Sequence, residues 1–117
     1  MVLNIILDEQ SYSIDVPPYI LAEAHEFFDK MDSDMDRGWQ MSRQWVERPD
    51  TINRCRIAAD RLLTAMHTGK QETLMLMAGY ILSRLPGVTA VRIDTHGDML
   101  GTEMVMGDGA PDSFANP

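Results

Sequence analysis

Three aspartates at alternate positions, Asp32, Asp34 and Asp36, are the residues of this sequence best suited by type and spacing to do chemistry. Carboxylate oxygens are the ligands that hard divalent cations prefer, and alternate positions let a loop turn several of them towards one ion. Read on a helix instead, His25, Asp29, Asp32 and Asp36 fall at steps of four, three and four and form one polar stripe. A stripe of that kind can present ligands to a divalent ion, but the Glu-x-x-His pairs of a carboxylate-bridged dimetal bundle do not accompany it. The helical reading makes these acids the solvated face of an amphipathic helix.

With Phe28 before it and Gly38 and Trp39 after it, the run resembles the start of an EF-hand calcium loop, whose acidic ligands alternate and whose eighth position, here Trp39, is apolar. Counted from Asp32, the sixth position is Arg37 where that loop has its turn-making glycine, and the twelfth is Arg43 where it has a bidentate glutamate. The resemblance covers this loop alone. It implies, as the alternative function, a divalent-cation binding module built on Asp32, Asp34 and Asp36.

Other chemistry-bearing residues read as structural. Cys55 stands between Arg54 and Arg56 near a helix start, which favours a thiolate, yet it shares an apolar seam with Ile52, Ala59 and Leu62, where a free cysteine packs as a small apolar group. His67 suits the last turn of its helix, where positive charge complements the dipole. His96 belongs to a turn, and no spacing pairs these residues into a nucleophile and its base. There is no glycine-rich phosphate loop ahead of a helix, and the ten methionines read as core filling. The sequence therefore leans away from an enzyme, and no cofactor is expected.

Composition narrows the classes further. A chain of 117 residues with 44% hydrophobic and 24% charged residues fits one globular domain able to bury a core without a disulfide or metal. Its longest apolar run, residues 74–82, is far short of the ~20 residues of a membrane span. A net charge of −8 argues against nucleic acid, because phosphate neutralisation needs clustered Lys and Arg. That charge is segregated: residues 1–36 carry −8, residues 37–70 carry +4, and the remainder carries −4. The middle segment is a basic belt able to meet an acidic surface on a partner or a second copy. One cysteine, and a start without a basic leader, lead to a cytoplasmic expectation.

These residues must be positioned by a fold of the α+β class. Residues 11–16 alternate as a half-buried strand, and residues 2–7, apolar except for Asn4, read as its hairpin partner around Asp8, Glu9 and Gln10. Pro17 and Pro18 open a helix whose apolar positions Ala24, Phe28, Met31, Met35, Trp39 and Val46 stay in phase, which predicts one helix over about 18–47 running through Gly38. A second helix is expected over about 51–67, capped by Asp50 and ended by Gly69, and a third over about 70–85, stopped by Pro86 and Gly87. A hairpin of residues 88–94 and 99–106 follows, and the two hairpins are expected to join in one antiparallel sheet. The domain spans residues 1–106, and residues 107–117, rich in Gly and Pro, read as a disordered tail.

The third helix is apolar almost all round, so it must be covered on more than one side. The thirty-residue helix over 18–47 would run about 45 Å, too long for one domain of this size unless it kinks near Gly38 or its end projects. Together these features predict a non-enzymatic interaction protein that forms a homodimer, or binds a protein partner, through Trp39, Trp45, Met75, Gly79 and Tyr80.

Overall fold

The computed structural model describes residues 1–107. Strands β1 (Val2–Leu7) and β2 (Gln10–Asp15) form the expected first hairpin, with Leu7 paired to Gln10 across the turn at Asp8 and Glu9. Helices α1 (Pro18–Glu23) and α2 (His25–Met35) follow, then a short hairpin of β3 (Trp39–Met41) and β4 (Gln44–Val46). Helices α3 (Thr51–Thr68) and α4 (Gln71–Arg84) lead into β5 (Val88–Ile93), a single 3-10 turn (Met99–Gly101) and β6 (Glu103–Met106). The fold is α+β. The tail expected from composition lies, beyond Gly107, outside the described residues.

The α3–α4 hairpin forms as its punctuation requires. The Asp50 side chain accepts from the Asn53 N–H at 2.9 Å, and Gly69 closes α3 with a φ of 70°. The sheet has the order β2-β1-β5-β6. It departs from the expected antiparallel arrangement at its centre, where β1 and β5 run parallel, with Ile5 beside Val91. Parallel neighbours need a long crossover, and the whole helical segment between the hairpins supplies it. Residues 99–101 were expected in a strand, but the Asp98 carboxylate accepts from the Leu100 N–H and starts a 3-10 turn.

The long helix expected over 18–47 is corrected in two places. Ala24, at φ −95° and ψ 11°, separates α1 from α2, and the helix ends at Met35. Gly38 then takes a φ of 101°, a left-handed conformation open to glycine and costly for other residues. The sequence reading weighed Gly38 as a helix-propensity cost of about 1 kcal/mol; its ability to reverse the chain is what decides here. The reversal carries Met41 into the core at 0% exposure, and the whole molecule measures 36 × 32 × 27 Å, shorter than that helix would have been.

These breaks also settle what covers α4. Folded back, α1 and α2 pack on it: Phe28 meets Tyr80 edge-on with ring centroids 5.9 Å apart, and a Cβ at Gly79 would lie 3.1 Å from Phe28 Cζ. Leu74, Met77, Ala78, Gly79, Tyr80, Ile81 and Leu82 are all buried, with α3 along another side. The part of that apolar surface on residues 77–82 of α4 is hidden within this chain, while Trp39 and Met75 are half-buried and Trp45 is exposed. Among the described residues no helix is long and apolar enough to cross a membrane.

Candidate functional site

Asp32 sits where α2, α3 and α4 meet. It follows Met31, and with Phe28 and Met35 the four positions have the i, i+3, i+4, i+7 spacing of a buried helical stripe. Placed there, its carboxylate collects donors from the neighbouring helices. Tyr80 Oη donates to Asp32 Oδ1 at 2.5 Å, Arg84 Nε donates to Oδ2 at 2.9 Å, and Arg54 Nη1 donates to Oδ1 at 3.3 Å. The two arginines extend the network, Arg54 Nη2 to Asp36 at 2.6 Å and Arg84 Nη2 to Asp29 at 2.9 Å. Arg54 also donates to the main-chain oxygen of Asp32 at 3.2 Å, which offsets the negative end of the α2 dipole together with its acids.

The electrostatics follow from this packing. Burial pushes the Asp32 carboxyl up, but the hydrogen bonds from Tyr80 and Arg84, the Arg84 charge and the Arg54 hydrogen bond outweigh it and hold the group below the usual carboxylate range. Burial first, then the bond to Asp32, pushes the Tyr80 hydroxyl well above its ordinary value. The Arg84 guanidinium lies over the Phe28 and Tyr80 rings, at 5.9 and 5.4 Å. Every strong donor near Asp32 is engaged by a protein acceptor, so the arrangement locks three helices together.

The three aspartates of the calcium-like run therefore do not converge. Asp32 holds Tyr80 and the arginines, Asp34 pairs with Lys30 one turn back at 3.1 Å, and Asp36 pairs with Arg54. Among the described residues, no three His, Cys, Asp or Glu side chains gather as metal ligands. The sequence reading put Asp32 on the solvated stripe with His25, Asp29 and Asp36. Its place inside the apolar stripe of Phe28, Met31 and Met35 was the signal that it is a half-buried charge in need of partners.

Cys55 is fully buried, and burial raises its thiol to about 12. A thiol that is both inaccessible and protonated is not a nucleophile at neutral pH. The folded protein should leave Cys55 unlabelled by a thiol reagent such as dithionitrobenzoate, with one equivalent reacting only after denaturant is added; prompt labelling of the native chain would contradict this burial.

The predicted interface residues separate. Gly79 and Tyr80 are core, Met75 and Trp39 are half-buried, and Trp45 is 56% exposed. Trp45 stands on the β3–β4 hairpin opposite Gln40, with its ring over Gly38, where an added Cβ would lie 2.4 Å from Trp45 Cζ2. Gly38→Ala should thus cost about 2 kcal/mol, from the left-handed backbone and the displaced ring together. The checks are the thermal midpoint and a shift in tryptophan emission.

The hairpin is also latched at its tip. Ser42 adopts a φ of 59°, and its hydroxyl accepts from the Met99 N–H at 2.8 Å while lying 3.3 Å from Asp98 Oδ1. A cleft of about 830 Å³ opens between residues 42–44 and 96–98. Ser42 and His96 both line it, but the serine hydroxyl is engaged by the 98–99 backbone and side chain and makes no hydrogen bond to that imidazole. The pair has the geometry of a loop latch, not of a nucleophile and its base.

The fold and its polar hub define an α+β protein whose convergent charges are structural and whose exposed tryptophan stands on a braced hairpin. No family model, curated protein or solved structure matches this chain.

Proposed function

We propose that this chain is a non-enzymatic protein-interaction module of the cytoplasm, which self-associates and offers its β3–β4 hairpin to an acidic protein surface. The observation that carries the reading is Trp45, 56% exposed on a hairpin flanked by Arg37, Arg43 and Arg48. None of these three arginines has an ion-pair partner among the described residues, and Glu47 is the only acid between Arg37 and Arg48. Tryptophan and arginine are the side chains that dominate interface energies, and a basic patch on a chain of net charge −8 selects for acidic partners. Gly38 beneath the ring and the Ser42 latch hold the hairpin before contact, which reduces the ordering cost of binding. Support for the cytoplasm is compositional, a single cysteine that is buried.

The test uses a synthetic amphipathic peptide of Glu and Leu as the probe of an acidic surface. Titration should give a saturable change in tryptophan emission that weakens with added salt, and Arg43→Glu combined with Arg48→Glu should weaken binding at least about tenfold. No saturable change, or a change indifferent to the two reversals, overturns the hairpin as a docking surface.

A further inference from the structure

We infer that two copies of this chain join through the free edge of β2, antiparallel across a two-fold axis at Ser13, so that the two four-stranded sheets become one sheet of eight. This inference deepens the self-association part of the proposed function and rests on it.

The argument begins with which backbone groups point outward. The Val16 N–H donates to the Met1 carbonyl at 2.7 Å and the Met1 nitrogen donates to the Val16 carbonyl at 2.8 Å, so these two residues form a hydrogen-bonded pair. Antiparallel pairing alternates, and the register Leu3 to Ile14, Ile5 to Tyr12 and Leu7 to Gln10 continues that set of bonded pairs. The N–H and C=O groups of Ser11, Ser13 and Asp15 therefore point away from β1. β2 ends the sheet and all three residues are exposed, so by the same alternation their main-chain groups face no strand among the described residues.

Edges of this kind are normally blunted by proline, lysine, a bulge or a covering loop. Residues 10–15 contain no proline or lysine, the β1–β2 register has no irregularity, and the one charge, Asp15, stands at the last residue of the strand. The other edge is better protected: β6 is four residues long and its pairing with β5 carries a register shift. An open, regular, six-residue edge is a template for another strand.

The register identifies the second strand as another copy. With the axis at Ser13, the outward groups of Ser11 meet those of the partner's Asp15, Ser13 meets the partner's Ser13, and Asp15 meets the partner's Ser11, giving about six hydrogen bonds. Each Asp15 carboxylate then lies beside a serine hydroxyl. On the helix-bearing face Tyr12, 40% exposed and facing no further strand, falls beside the partner's Ile14 in a close, non-bonded pair. Moving the axis to Tyr12 sets Glu9 against the partner's Asp15, and moving it to Ile14 leaves Ser11 opposite the partner's Pro17, which has no N–H to give. The sequence is self-complementary at one register and frustrated at its neighbours.

The experiment is sedimentation velocity of the full chain from 1 to 100 µM, with two edge variants and a cross-link. The wild type should be a dimer. Ser13→Pro removes an outward N–H and leaves the β1–β2 backbone bonds in place, and Ser13→Lys places two ammonium groups at the axis; both also lose the exposed bond from Ser13 Oγ to Asn4 Oδ1, a loss that Ser13→Ala reproduces without blocking the edge. Proline and lysine should each weaken association at least about a hundredfold and alanine should not, with circular dichroism unchanged in all three. Under mild oxidation Ser13→Cys should form an interchain disulfide, whereas Ser11→Cys alone should not, because offset copies lie beyond the reach of the bond. Buried Cys55 does not compete. A monomeric wild type overturns both the inference and the self-association beneath it. A wild-type dimer that survives Ser13→Lys with native circular dichroism overturns the β2 edge alone, and cross-linking through Ser11→Cys but not Ser13→Cys overturns the register.

Discussion

Asp32→Ala should destabilise the protein by about 2 to 3 kcal/mol at neutral pH, at or just below the range for removing one partner of a buried charge pair, because this network is half-buried. The carboxylate accepts from Tyr80, Arg84 and Arg54, and its removal leaves a fully buried phenol without an acceptor and two arginines with one fewer. Arg54 is only 14% exposed at its side chain, so water does not replace what is lost. Each guanidinium keeps a second carboxylate, Asp36 or Asp29, which keeps the loss below that of an isolated buried charge. Urea unfolding at pH 7 measures the difference through the shift in midpoint.

The same residue gives the effect a pH dependence of known sign. The folded protein holds the Asp32 carboxyl below its unfolded value, so this stabilisation is fully present above the unfolded carboxylate range, near pH 4, and is lost as pH falls through the lower folded value. Asp60, raised by burial, acts in the opposite direction: its contribution is present at low pH and is lost as pH rises through its folded value. The difference between wild type and Asp32→Ala should therefore be widest at neutral pH and narrow progressively below about pH 4, where the wild-type carboxyl is protonated too. A difference that stays constant down to pH 2 would show that Asp32 acts by packing and not by charge.

Tyr80→Ala should cost more, about 4 kcal/mol, because it opens a cavity at the centre of the three-helix contact as well as cutting a hydrogen bond. The ring is 0% exposed, packs edge-on against Phe28 and lies under the Arg84 guanidinium. Tyr80→Phe keeps the ring and should cost only about 1 to 2 kcal/mol, so the pair of variants divides packing from hydrogen bonding. Combining Tyr80→Phe with Asp32→Ala should cost less than the sum, since each removes the same bond. With domain stabilities commonly about 5 to 15 kcal/mol, the alanine variant is expected to be partly unfolded at 37 °C.

Much of the fold was legible along the chain. The α3–α4 hairpin could be read from Asp50, Gly69 and Pro86, and the first strands from the alternation of Tyr12, Ile14 and Val16, because capping and pleating are local matters decided within a few residues. The interval 18–47 was misread because Trp39 and Val46 keep helical phase by coincidence. The left-handed backbone at Gly38 and the turn at Ser42 put them on opposite strands of a hairpin. That error fed the next one. A straight helix would have laid one stripe along α4, whereas the break at Ala24 lets both α1 and α2 reach it, with Ile20, Leu21 and Phe28 around Gly79 and Phe28 against Tyr80.

Two things about this protein were determined by the sequence alone: that α4 had to be enclosed on several sides, since no polar face was written into it, and that charge is divided between an acidic beginning and a basic middle. Tertiary structure decided what encloses α4 and which charges remain free. Asp32, Arg54 and Arg84 are separated by tens of residues, and only the docking of α2 on α3 and α4 turns them into one network. The reason is physical: a residue's local preference acts over a turn or two, but the partner that satisfies a buried charge or fills the space beside a helix is supplied by whichever segment the chain's reversals bring back.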